Sequence, residues 1–427
     1  MGFFINAPVN FIIIPVMYID AMPITLEVVE ADSAGSAHKD CGCHAESHAE
    51  EAGENAGEAV FDGAETGYEQ GPRNEVPAHG KTGARDETKF LSQKQVEKLQ
   101  RAKYAMVGSH SAVQICSWNK KSIKQEGACY KQKFYGIECD RCAQMSPTVL
   151  WCNENCVFCW RPMEWMRSVN LEDVEVDGPE KIIEGTIKQR QKLLVGYKGL
   201  EGLNMNRFEH AQLPSHWAIS LSGEPTLYPK ICELIAEIRK LPATKSVFLV
   251  TNAQKTEVFE KMAANPQYCP TQLYVSLDAP NEEQFNKVNR ASHKNGWQRL
   301  LKSMEVISEL PVRKVVRLTL IKGLNDDIAF LRQWSETIWK MKPEFLEIKS
   351  YMHIGDSRSR LNRENMPTYD EIKDWTEKFC AVSGYVFKDF SKPSRITLSV
   401  RPDLKDKNTK LEFARNEMGI KGEGIDF

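Results

Sequence analysis

Cys152, Cys156 and Cys159 stand at C-x3-C-x2-C spacing between Trp151 and Trp160, close enough along the chain for three thiolates to converge on one inorganic centre. Three thiolates can hold three irons of a cubane cluster and leave the fourth iron open, whereas an electron-transfer cluster or a structural zinc takes four protein ligands. An open iron binds a substrate. The competing reading of the same spacing is a fragment of a zinc site or a group of packed core thiols.

A second set lies upstream. Cys116, Cys129 and Cys142 follow one another at intervals of thirteen residues, and Cys139 precedes the last by three. Cys139 and Cys142 have knuckle spacing, so these four could equally make a four-thiolate zinc site. Lys131 and Lys133 lie among them, separated by one residue. An amine whose pKa is depressed by burial or by a neighbouring cation can bond covalently to a carbonyl carbon. Two solvated surface lysines would do nothing of the kind.

The first motif is similar to the signature of the radical S-adenosylmethionine (SAM) superfamily, in which the amino and carboxylate groups of SAM chelate the open iron. One electron from the cluster then splits the sulfonium and gives a 5′-deoxyadenosyl radical. More closely, the segments Cys129–Ile137, Trp151–Arg161, Ser220–Pro225, Tyr351–Gly355 and Asn365–Pro367 resemble the tRNA 4-demethylwyosine synthases of archaeal type, over about Gln93 to Val400. The resemblance implies that Cys152, Cys156 and Cys159 hold the SAM-binding [4Fe-4S] cluster. It implies that Cys116, Cys129 and Cys142 hold an auxiliary [4Fe-4S] cluster, leaving Cys139 as a surplus thiol. It further implies condensation of pyruvate with N1-methylguanosine beside the anticodon of tRNA-Phe, with loss of the pyruvate carboxyl carbon. Lys131 is the position matching the family's pyruvate-binding lysine, with Lys133 as the runner-up.

Alternating strand and helix periods place these motifs. Strands are expected at Val149–Cys152, Ala218–Ser222, Ser246–Thr251, Gln272–Asp278, Lys314–Ile321 and Phe345–Tyr351, with helical periods between them. The pattern suits an open six-stranded (β/α)6 partial TIM barrel of the radical SAM type, whose chemistry collects at the carboxyl ends of the strands. Gly223 and Glu224 follow the second strand, where a glycine lets the backbone approach SAM and a carboxylate can accept from its ammonium. Asn252, Ser276 and Asp278 end the next strands as candidate SAM contacts, or as helix caps. Lys349, His353, Arg358, Arg360 and Arg363 follow the last strand and could grip tRNA phosphates, or form a solvated basic loop.

Residues 1–89 hold 5 Lys and Arg against 16 Asp and Glu, a net charge of −11 that leaves +9 on residues 90–427. The expected division is a disordered acidic extension over 1–89, an auxiliary-cluster segment over 90–146, the barrel over 147–402 and a tail over 403–427. The apolar stretch Phe3–Val16 is too short and too broken by Pro8, Asn10 and Pro15 to span a bilayer, and Met17 or Met22 could be the true start. His38, Cys41, Cys43, His44 and His48 could bind a metal transiently. Eukaryotic members of the family carry a flavodoxin domain that residues 1–89 do not resemble, so a separate electron donor of flavodoxin or ferredoxin type is expected. Twelve cysteines, with two clusters of metal-ligand spacing among them, point to a reducing, cytoplasmic compartment. The expected protein is a monomer without a membrane partner. Two alternatives are a radical SAM enzyme on another substrate with a zinc auxiliary site, and a zinc-stabilised RNA-binding protein.

Overall fold

The computed structural model describes residues 91–162, 171–173, 175–199 and 203–412. The expected acidic extension and the last part of the tail lie outside the described residues. One sheet holds ten strands: β1 (Ala105–Val107), β2 (Ser111–Gln114), β3 (Cys142–Ser146), β4 (His216–Ile219), β5 (Ser246–Thr251), β6 (Gln272–Ser276), β7 (Arg313–Leu320), β8 (Phe345–Ser350), β9 (Val386–Ser391) and β10 (Ile396–Val400). Their order is β1-β2-β3-β4-β5-β6-β7-β8-β10-β9. β3 to β8 pair in parallel, each with the next. β1 and β2 extend one edge antiparallel, and β10 and β9 the other.

The helices are α1 (Gln93–Arg101), α2 (Ser117–Ile123), α3 (Tyr130–Tyr135), α4 (Pro179–Val195), α5 (Met205–His210), α6 (Ile231–Lys240), α7 (Thr256–Ala264), α8 (Glu282–Val288), α9 (Gly296–Ser308), α10 (Leu331–Trp339) and α11 (Tyr369–Ser383). From α4 onward they supply the crossovers that parallel strands require. No helix among the described residues is long and apolar enough to cross a membrane.

The sheet has ten strands where the sequence suggested six. The additional four are short antiparallel edges, three to six residues each, which apolar runs do not announce. The first parallel strand is also displaced: it is Cys142–Ser146, and Val149–Cys152 is a loop. Pro147 ends the strand because it has no N–H for the ladder. Val149, Leu150 and Trp151 are buried all the same, packed with Leu99, Tyr104 and Leu221. A short buried apolar run reads alike as strand or loop.

Strand periodicity sorts the two faces of the sheet. Val247, Leu249, Leu273, Val275, Val316, Leu318, Leu346 and Ile348 pack in the large core shared with the helices. Phe248, Tyr274, Val315 and Phe345 point the other way and pack with Tyr130, Phe134 and Tyr135 of α3. By the same alternation Ser276, Arg317, Glu347 and Lys349 lie on that inner face.

Candidate active site

The loop after β3 carries Cys152, Cys156 and Cys159, each partly exposed. Three neighbouring segments fix its backbone. From β4, the Glu224 N–H donates to the Trp151 carbonyl at 2.7 Å, and the Thr148 and Ser222 hydroxyls donate in opposite directions to the Glu224 and Val149 carbonyls. After α8, the Asn289 and Val288 carbonyls accept from Asn155 and Val157, while Ser292 N–H donates to the Asn153 carbonyl. After β8, the Arg360 guanidinium donates to the carbonyls of Val157 and Cys159.

Gly223 makes this arrangement possible. Its φ is +70°, and a Cβ there would lie 1.9 Å from the Thr148 oxygen and 2.5 Å from the Trp151 oxygen. Neither backbone carbonyl can move without pulling the cysteine loop with it. Gly223→Ala is therefore expected to destabilise the protein by about 3 kcal/mol or more, seen as a lowered Tm together with lost iron. An unchanged Tm would show that the loop does not depend on this approach.

The polar groups at the strand ends have defined partners. Glu224 Oε1 accepts from the Thr226 N–H and from the hydroxyls of Thr226 and Thr251, and Oε2 accepts from the Asn252 N–H. Its carboxylate thus ties β4 to β5. Asn252 Nδ2 donates to Asn153 Oδ1 at 2.7 Å, reaching into the cysteine loop. Asp278 Oδ1 accepts from the Thr319 N–H at 2.7 Å, joining the end of β6 to β7, and burial pushes its carboxyl up to about 6. Ser276 closes β6.

Glu154, which sequence reasoning passed over, is buried inside the loop; burial pushes it up to about 8. Its Oε2 accepts from Asn289 Nδ2 at 3.0 Å and from the Cys156 thiol at 3.3 Å. Among the described residues, Glu154 Oε1, Asn153 Nδ2 and Asn289 Oδ1 are buried with no hydrogen-bond partner. Unmatched acceptors and a donor beside three thiols fit a ligand that supplies both, as an amino acid group does.

The second cysteine set gathers at the other end of β3. Cys116 caps α2 and accepts from the Asn119 N–H, and Cys129 stands at the N-cap of α3. Asn119 Nδ2 donates to the carbonyls of Cys139, Asp140 and Cys142, drawing that turn against α2. Cys116, Cys129 and Cys142 are partly exposed, whereas Cys139 is only 1% exposed. Burial pushes Cys129 up to about 11 and Cys142 up to about 12; iron must displace those protons. Cys139 is thus set apart from the other three by its burial. No group of three or more His, Cys, Asp or Glu side chains among the described residues is arranged for a single metal ion. β3 spans five residues, so Cys142 and Ser146 at its two ends are roughly 13 Å apart.

Beside the second set, α3 delivers Lys131 to the inner face. Its ammonium lies 4.6 Å from the Tyr274 ring centre and 5.0 Å from that of Phe248. Burial lowers its pKa; Glu347 opposes the shift and Arg317 assists it. Lys133 points out of the same helix to Asp389 at 2.7 Å and to the Phe390 carbonyl. Lys349, grouped above with the basic rim, instead lies on the inner face, where its amine donates to the Ser394 carbonyl at 2.8 Å. Burial and then Arg317 hold that amine down to about 8. Arg360 likewise clamps the cysteine loop, while Arg358 and Arg363 are exposed.

Family models for the radical SAM superfamily and for wyosine base formation match residues 146–333 and 340–401. The S-adenosyl-L-methionine-dependent tRNA 4-demethylwyosine synthase of Pyrococcus horikoshii is 44% identical over 317 residues, 74% of this chain and 91% of its own length. This chain belongs to the tRNA 4-demethylwyosine synthase family. The Methanocaldococcus jannaschii synthase is 36% identical over 321 residues, covering 74% of this chain and 97% of its own. Among solved structures, one of TYW1 with a lysine–pyruvate adduct bound is similar with a TM-score of 0.66 and 34% identity, over 75% of this chain and all of that one. The fold is thus a radical SAM partial β/α barrel, and the family's SAM-dependent radical chemistry implies an iron–sulfur cluster.

Arg317, Glu347, Glu154 and Asn289 escaped the sequence reading. For the first two a signal existed: charged residues inside the apolar runs Arg313–Leu320 and Phe345–Ser350 are costly unless partnered. For Glu154 and Asn289 none did, because their pairing crosses 135 residues.

Proposed function

We propose that this synthase condenses pyruvate with N1-methylguanosine in tRNA-Phe, holding pyruvate as an imine on Lys131. One observation carries the choice of lysine: Lys131 is enclosed by aromatic rings on the inner face, while Lys133 is paired at the surface. The similar TYW1 structure with a lysine–pyruvate adduct supports it. The Lys131 amine attacks the keto carbon of pyruvate, a C=N bond forms and water leaves. Tyr274 and Phe248 exclude solvent from that bond and fix where the carbonyl carbon stands, as a radical addition requires.

Cys152, Cys156 and Cys159 hold the SAM-binding [4Fe-4S] cluster in this reading, and Cys116, Cys129 and Cys142 hold a second. Held there, such a cluster with SAM would supply the radical chemistry needed at the guanosine methyl. Gly223, Asn252, Ser276 and Asp278, at the ends of β4, β5 and β6, serve the SAM side of the site, and Glu224 acts chiefly by fixing the Asn252 backbone. Cys139→Ser is expected to keep both clusters, whereas Cys129→Ser loses the auxiliary one, measured as iron per chain. Equal losses would restore the four-thiolate site.

Borohydride reduction in the presence of pyruvate tests the reading, because it converts an imine into a stable secondary amine. Peptide mass spectrometry should place the added mass on Lys131. An adduct on Lys133 would move the role by two residues, and the absence of any adduct in an active enzyme would reject imine formation.

A further inference from the structure

We propose that Arg317, together with Lys349, forms a carboxylate-binding subsite on the inner face of the sheet that selects a 2-oxo acid for Lys131. This rests on the imine reading above and adds what recognises the other end of the substrate.

The placement follows from strand register. Arg317 pairs with Ser276 of β6 on one side and with Glu347 of β8 on the other. Lys349 is the next inward residue after Glu347 and pairs with Thr319. Tyr274, whose ring lies under the Lys131 ammonium, is the inward residue before Ser276. The amine and the guanidinium therefore face one space, about two residues apart along β6, or roughly 7 Å. A small 2-oxo acid, with its keto carbon bonded to the amine, presents its carboxylate across such a gap.

Arg317 has hydrogen-bonding capacity left over. A guanidinium carries five N–H donors. Among the described residues its side chain makes no hydrogen bond: Nε stands 3.9 Å from Glu347 Oε2, and the group lies 6.0 Å from the Tyr130 ring centre. Glu347 pairs with it only at that longer distance, its two oxygens accepting directly from the Tyr130 and Tyr135 hydroxyls at 3.0 and 2.8 Å. About a quarter of the Arg317 side chain, 24%, remains accessible, while Glu347 is fully buried. Charge counting agrees: Arg317, Lys349 and Lys131 bring three basic groups to this region, against the two carboxyls of Glu347 and Asp278. A substrate carboxylate closes that balance and matches the planar fork of the guanidinium.

SAM also carries a carboxylate, so the test separates the two sources. Borohydride trapping on the reconstituted enzyme is followed as a function of pyruvate and, separately, of hydroxyacetone, which keeps the ketone but replaces the carboxylate with a neutral hydroxymethyl group. Arg317→Met should raise the pyruvate concentration for half-maximal trapping roughly tenfold to hundredfold and leave the hydroxyacetone curve in place, with Arg317→Lys intermediate. Lys349→Met should shift pyruvate in the same direction. An unchanged pyruvate curve would overturn the proposal, as would equal shifts for both carbonyls, which would mean a structural role. A shift confined to the SAM dependence of 5′-deoxyadenosine formation would assign the subsite to SAM and overturn it too. If the unsubstituted enzyme forms no adduct with either carbonyl, the imine reading fails and this subsite falls with it.

Discussion

Replacing Cys152, Cys156 and Cys159 together with Ala abolishes 5′-deoxyadenosine formation and removes about half of the iron. The loss is complete because the loop offers no second set of thiolates: one carboxylate, Glu154, hydrogen-bonded to Asn289, and one neutral amide, Asn153, bonded to Asn252, cannot replace three ligands of a cubane. The remaining half stays because Cys116, Cys129 and Cys142 sit at the opposite end of β3, held by the caps of α2 and α3 and by Asn119. Iron analysis with an assay of SAM cleavage checks both parts. SAM cleavage by the triple variant would remove the loop from the reaction, and loss of all iron would show that the two sets form one site.

Lys131→Ala gives the second large effect. The variant makes no modified base yet still produces 5′-deoxyadenosine, because α3 and the cysteine loop are separate elements. Lys131→Arg fails in the same way, since a guanidinium stays protonated and cannot form an imine. Nucleoside analysis of the tRNA together with 5′-deoxyadenosine quantification reads the split. Base modification by Lys131→Ala at the unsubstituted rate would exclude this amine.

The chemistry of this chain was legible wherever it is local in sequence. The two cysteine spacings and the Gly223–Glu224 turn were visible as types and distances along the chain, whereas Lys131 was preferred to Lys133 on family resemblance alone. What could not be read depends on register and on contacts between distant segments. Val149–Leu150–Trp151 reads as a strand because burial, not ladder pairing, selects its residues. Glu224 reads as an acceptor for SAM because nothing in the sequence shows Thr226, Thr251 and Asn252 donating to it. Lys349 reads as part of a basic rim until strand alternation turns it inward beside Arg317. The four edge strands add hydrogen-bond partners to a parallel core without a strong apolar signature of their own.

Isotope tracing tests the central claim most directly. The anaerobically reconstituted enzyme is incubated with SAM, a reductant, tRNA-Phe bearing N1-methylguanosine, and pyruvate labelled with carbon-13 either at the carboxyl carbon or at the other two positions. The modified nucleoside should appear only when pyruvate is present, and should carry label from the keto and methyl carbons but not from the carboxyl carbon. SAM cleavage with no pyruvate-dependent change in the base, or a product retaining the carboxyl label, would contradict the account.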